Sequence, residues 1–417
     1  MPRYPALLFA LLTTAVRVTA APDAKFDPAT TATNQLGLEL FRALATERPS
    51  ENLLISPYSI QSALAMTYAG AEGETRTEMA RVLHYPGDDA ILHGSFLALR
   101  NAFDAAVEKS KADSDRRQQK GGKIDPLELR VANRLFGQSG YAFRAPFLAL
   151  TKGSYDAPLE QLDFRTNSEP SRLTINHWVE EQTRQRIRDL LPEGSITDLT
   201  RLVLVNALYF KAPWSSPFRK ALTENRPFRV NGTKSEPVPT MQHQSKLGYR
   251  AFGDFSAIAL PYASDDFQFL ILLPNDPAGL EALNAKLTPA LLRECAQLKA
   301  SSLLLFLPKL RIAGPTITLQ KPLKALGMKT AFQPSANFDR ISPDKLRVSE
   351  VFHKTFLALD EEGSEAAAAT AVVMALRSAA TAPQPTPEIH VDRPFLFAIQ
   401  HRSSGTCLFI GRVTDPR

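Results

Sequence analysis

The sequence EEGSEAAAATAVVMALRS, residues 361–378, is the stretch from which the fold is best worked out. From Ser364 onward its even-numbered positions carry no charge, and its two charged residues, Glu365 and Arg377, fall at odd positions. This period of two is typical of a strand with one buried face. Composition alone favours a helix, because Ala, Glu, Met, Leu and Arg are good helix formers and Ser364 can act as an N-cap. Two interpretations therefore stay open for this stretch: a helix, or a loop that can become a strand.

The composition is that of a globular protein with a large core, since 44% of the 417 residues are hydrophobic and 22% are charged. No Gly/Ser-rich or Pro-rich linker divides the middle of the chain, so we expect one domain. The net charge of +6 is too small to indicate a class of partner. Beyond the N-terminus no segment approaches the roughly 18 apolar residues of a membrane span, so we expect no membrane anchor.

The N-terminal sequence MPRYPALLFALLTTAVRVTAA has the pattern of a secretory signal. Arg3 precedes an apolar run from about Ala6 to Val16, and small residues at Val18 and Ala20 suit signal peptidase. The run is too short to span a membrane. We therefore expect residues 1–20 to be removed and the protein to be secreted and extracellular, or periplasmic in a bacterial host.

The sequence carries no recognisable catalytic or metal-binding motif. It has no GxSxG, HExxH, Walker or GxGxxG sequence, and its seven histidines are scattered. Its two cysteines, Cys295 and Cys407, have neither metal-ligand spacing nor the number a disulfide framework needs. We expect the two cysteines to be separate thiols, although a single disulfide between them is an alternative. We also expect no metal and a chain that is not an enzyme.

Residues 107–126, VEKSKADSDRRQQKGGKIDP, are polar and lack apolar periodicity. We expect an extended, mobile connection there, with a solvated surface. Acidic residues interrupt its basic ones and aromatic residues are missing, so we expect no nucleic-acid partner. The basic residues are Lys109, Lys111, Arg116, Arg117, Lys120 and Lys123.

Several elements can be predicted from local pattern. A loose segment to about Thr33 precedes a helix at Leu36–Ala45, and a second amphipathic helix in residues 175–196 is closed by Pro192 and Gly194. Residues 202–210 are apolar almost throughout, as in a strand covered on both faces.

Four segments of this chain resemble the serpins, the serine protease inhibitor family. EEGSEAAAAT (361–370) is similar to the hinge of the serpin reactive-centre loop, and AVVMALRS (371–378) to the corresponding loop of antithrombin, a member of that family. NALYFKAPW (206–214) resembles the strand that borders the serpin loop-insertion gap, and residues 393–413 resemble a closing hairpin. The resemblance implies an α+β fold with three sheets, about nine helices and an exposed reactive-centre loop. The serpin domain would span residues 33–417, with the loop at about 361–392.

The resemblance also implies a mechanism. A protease would attack the bond Arg377–Ser378, form an acyl-enzyme and be trapped when the hinge inserts into the main sheet as a new strand. The partner would be a target serine protease in a covalent complex, with the inhibitor a monomer. The implied hinge residues are Glu361, Glu362, Gly363, Ser364, Glu365, Ala366, Ala367, Ala368, Ala369 and Thr370.

Arg377 indicates a trypsin-like protease, whose specificity pocket holds a carboxylate. The segment from Ser378 to Arg393 is three residues longer than the resemblance to antithrombin implies. Cleavage after Met374 or Leu376 by an elastase- or chymotrypsin-like enzyme is therefore also open. An Arg-specific cysteine protease is a further alternative. So is a non-inhibitory serpin that acts as a carrier or storage protein, although the small-residue hinge argues against it.

Family resemblance assigns sheet-opening roles to Ser56, Ser59, Asn206, Trp214 and His353. Local chemistry gives plainer roles, since Ser56 can cap a helix that Pro57 begins, and a single apolar-strand histidine is usually structural. A buried Asn206 needs partners, and the resemblance implies that they come from the Ser56–Ser59 region and from His353.

Two surface features complete these expectations. In serpins a helix near residues 107–126 binds heparin in several members, so a heparin-like polyanion is a possible cofactor at the basic residues named above. Asn231-Gly232-Thr233 is a glycosylation sequon whose Asn-Gly pair also predicts a tight turn.

Overall fold

The computed structural model describes residues 24–121, 125–364 and 386–417. Within these ranges nine α-helices and seventeen strands give the α+β class that was expected. The helices are α1 (Ala29–Glu47), α2 (Pro57–Ala69), α3 (Gly73–Val82), α4 (Asp89–Gln119), α5 (Ala145–Tyr155), α6 (Ser168–Gln182), α7 (Leu280–Lys286), α8 (Pro289–Cys295) and α9 (Gln320–Ala325). The strands are β1 (Leu53–Ile55), β2 (Glu128–Gln138), β3 (Leu159–Leu162), β4 (Leu202–Pro213), β5 (Glu224–Val230), β6 (Lys234–Ala251), β7 (Phe255–Pro261), β8 (Phe267–Pro274), β9 (Ala300–Pro308), β10 (Leu310–Ala313), β11 (Ile317–Thr318), β12 (Phe352–His353), β13 (Phe356–Leu359), β14 (Gly363–Ser364), β15 (Glu388–His390), β16 (Phe395–His401) and β17 (Cys407–Val413).

The described strands form three sheets, as expected. A six-stranded sheet has the order β10-β13-β14-β4-β2-β3, and β11 pairs with β12 in a two-stranded sheet. A nine-stranded sheet has the order β1-β17-β16-β8-β7-β6-β9-β15, with β5 added on β6. The closing hairpin predicted in residues 393–413 is β16 and β17, which pair antiparallel. The strand β15 lies inside the interval to residue 392 that was expected to be loop.

Helix α2 lies between the sheets and is buried on nearly every side. Ser56 caps it by accepting the backbone N–H of Ser59 at 3.2 Å, and Pro57 occupies its first turn. Of its residues only Ala63 is more than slightly exposed. It packs on β4 on one side and on β17 on the other, so its N-terminus is fixed beneath the six-stranded sheet.

The polar segment 107–126 was predicted wrongly, because most of it continues helix α4. Asp88 caps this helix by accepting the N–H of Ile91 at 3.1 Å, and the helix runs for 31 residues. Lys, Arg, Gln and Ala are good helix formers, and an exposed helix needs no apolar stripe over its last turns. Lys123 lies outside the described residues.

Two further boundaries differ from the prediction. Helix α1 begins at Ala29, so the segment expected to be loose is helical. Helix α6 ends at Gln182, ten residues before Pro192. Its continuation is excluded because Arg184 and Gln185 have φ values of 52° and 64°, in the left-handed region.

The Asn-Gly turn is present between β5 and β6. Asn231 and Gly232 have φ values of 49° and 76°, as a hairpin turn with two left-handed residues requires. The side chain of Asn231 is exposed.

Both cysteines are buried and unbridged. Burial raises the pKa of the Cys295 thiol to about 12 and raises that of Cys407 even further above its usual value. Among the helices of the described ranges, none has both the length and the hydrophobicity to cross a membrane. The predicted signal sequence, residues 1–20, lies outside those ranges.

Candidate functional site

A gap in the six-stranded sheet separates β4 from β13, and among the described strands only β14 bridges its upper end. Gly363 and Ser364 lie opposite Pro213 and Ala212 of β4, and Ser364 also lies opposite Leu359 of β13. Below Ser364 no described residue pairs with the facing edges of β4 and β13. Two residues of the predicted hinge therefore already form a strand, and unpaired strand edges continue below them.

Gly363 fits this position because it has no side chain. A Cβ on this residue would overlap the carbonyl oxygen of Ala212 and come within 2.7 Å of the Pro213 Cα atom. Both obstacles are backbone atoms of a paired strand, which cannot move aside cheaply. Any larger residue would force the chain out of the gap.

Ser364 is fully buried and points toward the interior. Its hydroxyl lies 2.5 Å from the hydroxyl of Tyr262, whose ring stacks on Trp214 with centroids 4.8 Å apart. The Trp214 indole N–H donates to the carbonyl of Asp360 at 2.9 Å, so Trp214 lies at the upper end of the gap. The face of the hinge strand that carries Ser364 is the face turned to the core.

The residues before Gly363 are anchored by polar contacts. The Asp360 carboxylate accepts the backbone N–H groups of Glu362 at 2.9 Å and Gly363 at 3.3 Å. Glu361 is only 4% exposed and accepts from the Thr223 hydroxyl at 2.7 Å and the Lys309 ammonium at 2.9 Å. A third contact, from Lys220 to Glu362 at 2.6 Å, lies nearer the surface.

The charges of this anchor are stabilised unequally. Burial acts to raise the pKa of Glu361, but the hydrogen bonds from Lys309 and Thr223 outweigh it and hold that pKa below its usual value. Burial dominates at Asp360 and raises its pKa. The hydrogen bond to Glu362 raises the pKa of Lys220. Glu361 therefore keeps its charge although it is buried.

Asn206 lies at the middle of β4, where it joins the sheet to α2. The Ser59 hydroxyl donates to its side-chain oxygen, and its amide donates to Asn133 on the adjacent strand β2. The amide of Asn133 in turn donates to the carbonyl of Tyr155 at 2.7 Å. The polar atoms of Asn206 are thus paired within the sheet and with the helix beneath it.

His353 contacts Ser56 instead of Asn206, which differs from the partner expected for it. Its Nε2 atom accepts the backbone N–H of Ser56 at 3.0 Å, and the Ser56 hydroxyl donates to the carbonyl of Leu408 at 2.6 Å. Burial lowers the pKa of His353 to about 4, so the ring is neutral at pH 7, as an acceptor nitrogen must be. The register of β2 beside β4 supplies Asn206 with a nearer partner, Asn133.

A cavity of about 460 Å³ occupies the lower part of the gap. Residues 202–206 of β4 and residues 345–353 form its two sides, and α2 contributes the floor. Asn206, His353 and Ser59 all line it, so the structure brings three of the predicted sheet-opening residues to one space. Ser56 lies directly behind His353, and Trp214 lies at the opposite end of β4.

The other predicted site residues divide into two groups. Arg377, Ser378 and the hinge positions from Glu365 to Thr370 lie outside the described residues. On α4, Lys109 binds the carbonyl of Ser264 and the carboxylate of Asp266, both at 2.9 Å, and Arg116 pairs with Asp113. The remaining described basic residues, Lys111, Arg117 and Lys120, are exposed.

Sequence reasoning missed five residues of this site: Asp360, Tyr262, Thr223, Lys309 and Asn133. Only Asp360 had a local signal, since an Asp three residues before a Gly commonly closes a turn on its own backbone. The others come from strands or turns distant in sequence, and only the fold brings them to the gap.

Replacing Gly363 by Ala should expel β14 from the gap, because the new Cβ overlaps the Ala212 carbonyl. We expect the fluorescence of Trp214 to shift to the red as the indole, now only 1% exposed, meets water. Measuring it in a Trp178→Phe background removes the other tryptophan. Gly314→Ala is the matched control, since nothing lies within 4 Å of its Cβ position. Identical spectra for the two variants would contradict the fit described for Gly363.

Comparisons with known proteins agree with this geometry. A family model described as "Serpin (serine protease inhibitor)" matches residues 31–416. The leukocyte elastase inhibitor of Bos taurus is 36% identical over 395 residues, covering 92% of this chain and 98% of the relative. The crystal structure of a cleaved serpin named 42Da superposes with a TM-score of 0.78 at 28% identity, covering 94% of this chain and all of that chain. Human thyroxine-binding globulin superposes with a TM-score of 0.77 at 27% identity, covering 94% and 99%.

These matches refine two expectations. The expectation that the chain is not an enzyme said only what the protein does not do. The family description corrects it by naming the activity: serpins act on proteases as inhibitors and not as catalysts. The particular likeness of the loop to antithrombin is not supported by the relatives named here.

The family match covers nearly the whole described structure, and the bovine relative exceeds a third identity along almost its full length. The chain belongs to the serpins, the serine protease inhibitor family.

Proposed function

We propose that this serpin inhibits a serine protease as a suicide substrate, by inserting its cleaved loop into the gap between β4 and β13. The observation that carries the proposal is the pairing of Gly363 and Ser364 with β4, and of Ser364 with β13 across the gap. Because these two residues already hold the register, insertion after cleavage is an extension of an existing strand, without a new nucleus.

The register of β14 predicts where the rest of the loop would go. Continued antiparallel to β4, it would place Thr370 opposite Asn206 and Met374 opposite Leu202, the first residue of β4. Arg377 would then lie opposite Leu199, beyond the lower end of the strand. A protease acylated near this position would be carried from one end of the sheet to the other.

The alternation of the loop sequence suits this path. Even-numbered residues would share the inward face of Ser364, and from Ala366 to Leu376 none of them is charged. Thr370, Val372 and Met374 would face the cavity beside residues 202–206. Burying an apolar side chain of the size of Val or Met contributes about 1.5–3 kcal/mol, which helps to drive insertion.

Two target classes fit the chain. The bovine relative is named as an elastase inhibitor, so an elastase-type protease that cuts after Met374 or Leu376 fits the comparison better. A trypsin-like protease that cuts after Arg377 is the second candidate, because Arg suits a pocket with a carboxylate.

Incubation with pancreatic elastase or trypsin should give a complex that survives denaturing electrophoresis, because the acyl bond is trapped by insertion. Sequencing the released peptide identifies the bond: a new N-terminus at Ala375 or Arg377 indicates elastase-type cleavage, and one at Ser378 indicates trypsin-type cleavage. Absence of a complex with both enzymes, with the loop cut, would contradict the inhibitory function.

A pair of hinge variants separates insertion from binding. Ser364→Arg puts a long cation at a fully buried position, so we expect cleavage with at least tenfold less complex. Glu365→Arg makes a similar change on the opposite face, where the alternation predicts exposure, and should form complex like the parent chain. Equal complex yields from the two variants would exclude insertion in this register.

A carrier function is the rival proposal. Thyroxine-binding globulin, which by its name binds thyroxine, has nearly the same TM-score as the cleaved serpin, so fold similarity does not separate the two functions. The paired hinge and its small residues favour inhibition. A carrier whose loop does not insert should show no rise in melting temperature after loop cleavage, whereas an inserting serpin should become much harder to melt.

A polyanion cofactor is a secondary proposal. Lys109 and Arg116 lie at helical spacing on one face of α4, and Lys120 follows at its C-terminal end, although Asp266 and Asp113 neutralise part of their charge. We expect Arg116→Ser/Arg117→Ser/Lys120→Ser to elute from heparin at lower salt than the parent chain, and at lower salt than the matched control Lys152→Ser/Lys299→Ser/Lys329→Ser, which removes three exposed cations elsewhere. Equal elution of all three proteins would remove the proposal.

Secretion is not supported by the comparisons, and it stays a proposal that rests on the pattern of residues 1–20. The family match begins at residue 31, after that pattern. Expression in a cell with an export pathway should give protein outside the cytoplasm that begins at Ala21 or Pro22. Full-length protein retained in the cytoplasm would contradict it.

A further inference from the structure

The cavity in the lower gap has an apolar interior and a basic rim. Leu64, Leu204, Phe338 and Ile341 are among the side chains that line it. Its volume of about 460 Å³ lies within the range of about 300–1,000 Å³ typical of small-molecule sites. A cavity of this size in the uncleaved chain can hold a ligand before the loop arrives.

Three cations and one acid line the cavity. Lys345 and Arg347 have no hydrogen-bond or ion-pair partner among the described residues, and Arg201 donates to the carbonyls of Asp198 at 2.8 Å and Thr200 at 2.9 Å. The acid, Glu350, uses one carboxylate oxygen to accept the backbone N–H groups of Gln320 at 3.0 Å and Val351 at 2.8 Å. Three cations against one carboxylate leave the rim with a net positive charge.

The loop does not explain this charge. In the register of β14 the residues reaching the cavity run from Thr370 to Leu376, and none of them is acidic. Arg377 would add a further positive charge near Leu199, which also lines the cavity. The apolar interior suits the loop, but the basic rim calls for a different occupant, one that carries a negative charge.

We propose that the gap of the uncleaved protein binds the anion of an amphiphilic carboxylic acid, with its hydrocarbon chain in the cavity and its carboxylate at Lys345 and Arg347. The bound anion occupies the path of residues 370–374 and therefore competes with loop insertion. This regulatory consequence rests on the function proposed above; the binding itself does not.

Direct binding is tested by calorimetry of the uncleaved full chain with octanoate, decanoate and dodecanoate below their micelle concentrations. We expect one saturable site, with the dissociation constant falling about tenfold for each two added methylenes. Dodecyltrimethylammonium, with the same chain and the opposite charge, should bind at least tenfold more weakly than dodecanoate. No saturable binding, or equal binding of the cationic amphiphile, would overturn the proposal.

Substitutions of the two rim cations test where the carboxylate binds. Lys345→Ser/Arg347→Ser should weaken dodecanoate binding about fivefold, while Lys299→Ser, an exposed lysine away from the cavity, should leave it unchanged. Each variant is scored only if its melting temperature matches that of the parent chain. An unchanged affinity in a folded double variant would overturn the assignment to this rim.

Competition is tested by adding saturating dodecanoate to the protease reaction. We expect less covalent complex and more cleaved, uncomplexed chain than in the ligand-free sample. At a dodecanoate concentration near the dissociation constant of the parent chain, the change should be smaller in the double variant. Unchanged partitioning with ligand bound would overturn competition. Failure to form complex without ligand would instead be a failure of the inhibitory function, and it would leave the calorimetric result unaffected.

Discussion

The close approach of the backbone at Gly363 to Ala212 and Pro213 is the constraint on which the arrangement of the gap depends. It brings the Ser364 hydroxyl within hydrogen-bonding distance of the Tyr262 hydroxyl, and the Tyr262 ring stacks on Trp214. It also sets the turn at Asp360, which holds the backbone before the gap. Because all these contacts converge on Gly363 and Ser364, the described part of the hinge is held in one register.

The two ends of the gap differ in the forces that act there. At the top, a buried carboxylate is compensated by Lys309 and Thr223, so the anchor is electrostatic and directional. At the bottom, the side chains are mainly apolar, and the polar groups of Asn206 are satisfied within the sheet. This change from a charged to a mainly apolar environment matches the sequence of the loop, which begins with Glu361 and Glu362 and carries no charge at even-numbered positions from Ser364 to Ser378.

Much of this could be predicted from local pattern, and the errors have identifiable causes. The apolar run 202–210 predicted the strand β4, because burial of a strand shows directly in its residue types, whereas the alternation after Ser364 lies outside the described residues. Helix α4 was missed because an exposed helix needs only propensity, which looks the same as a solvated loop when apolar periodicity is the criterion. The end of α6 depends on left-handed backbone at Arg184 and Gln185, residue types that give no warning of it.

The site itself was only partly predictable, because its polar partners belong to different strands. Asn133 reaches Asn206 through the pairing of β2 with β4, a register that no local pattern specifies. The buried thiols have a practical consequence of another kind. With both native cysteines enclosed and their pKa values raised, a cysteine introduced into the loop would be the only reactive thiol of the chain. A single dye attached there would report movement of the loop, without labelling of the two native cysteines.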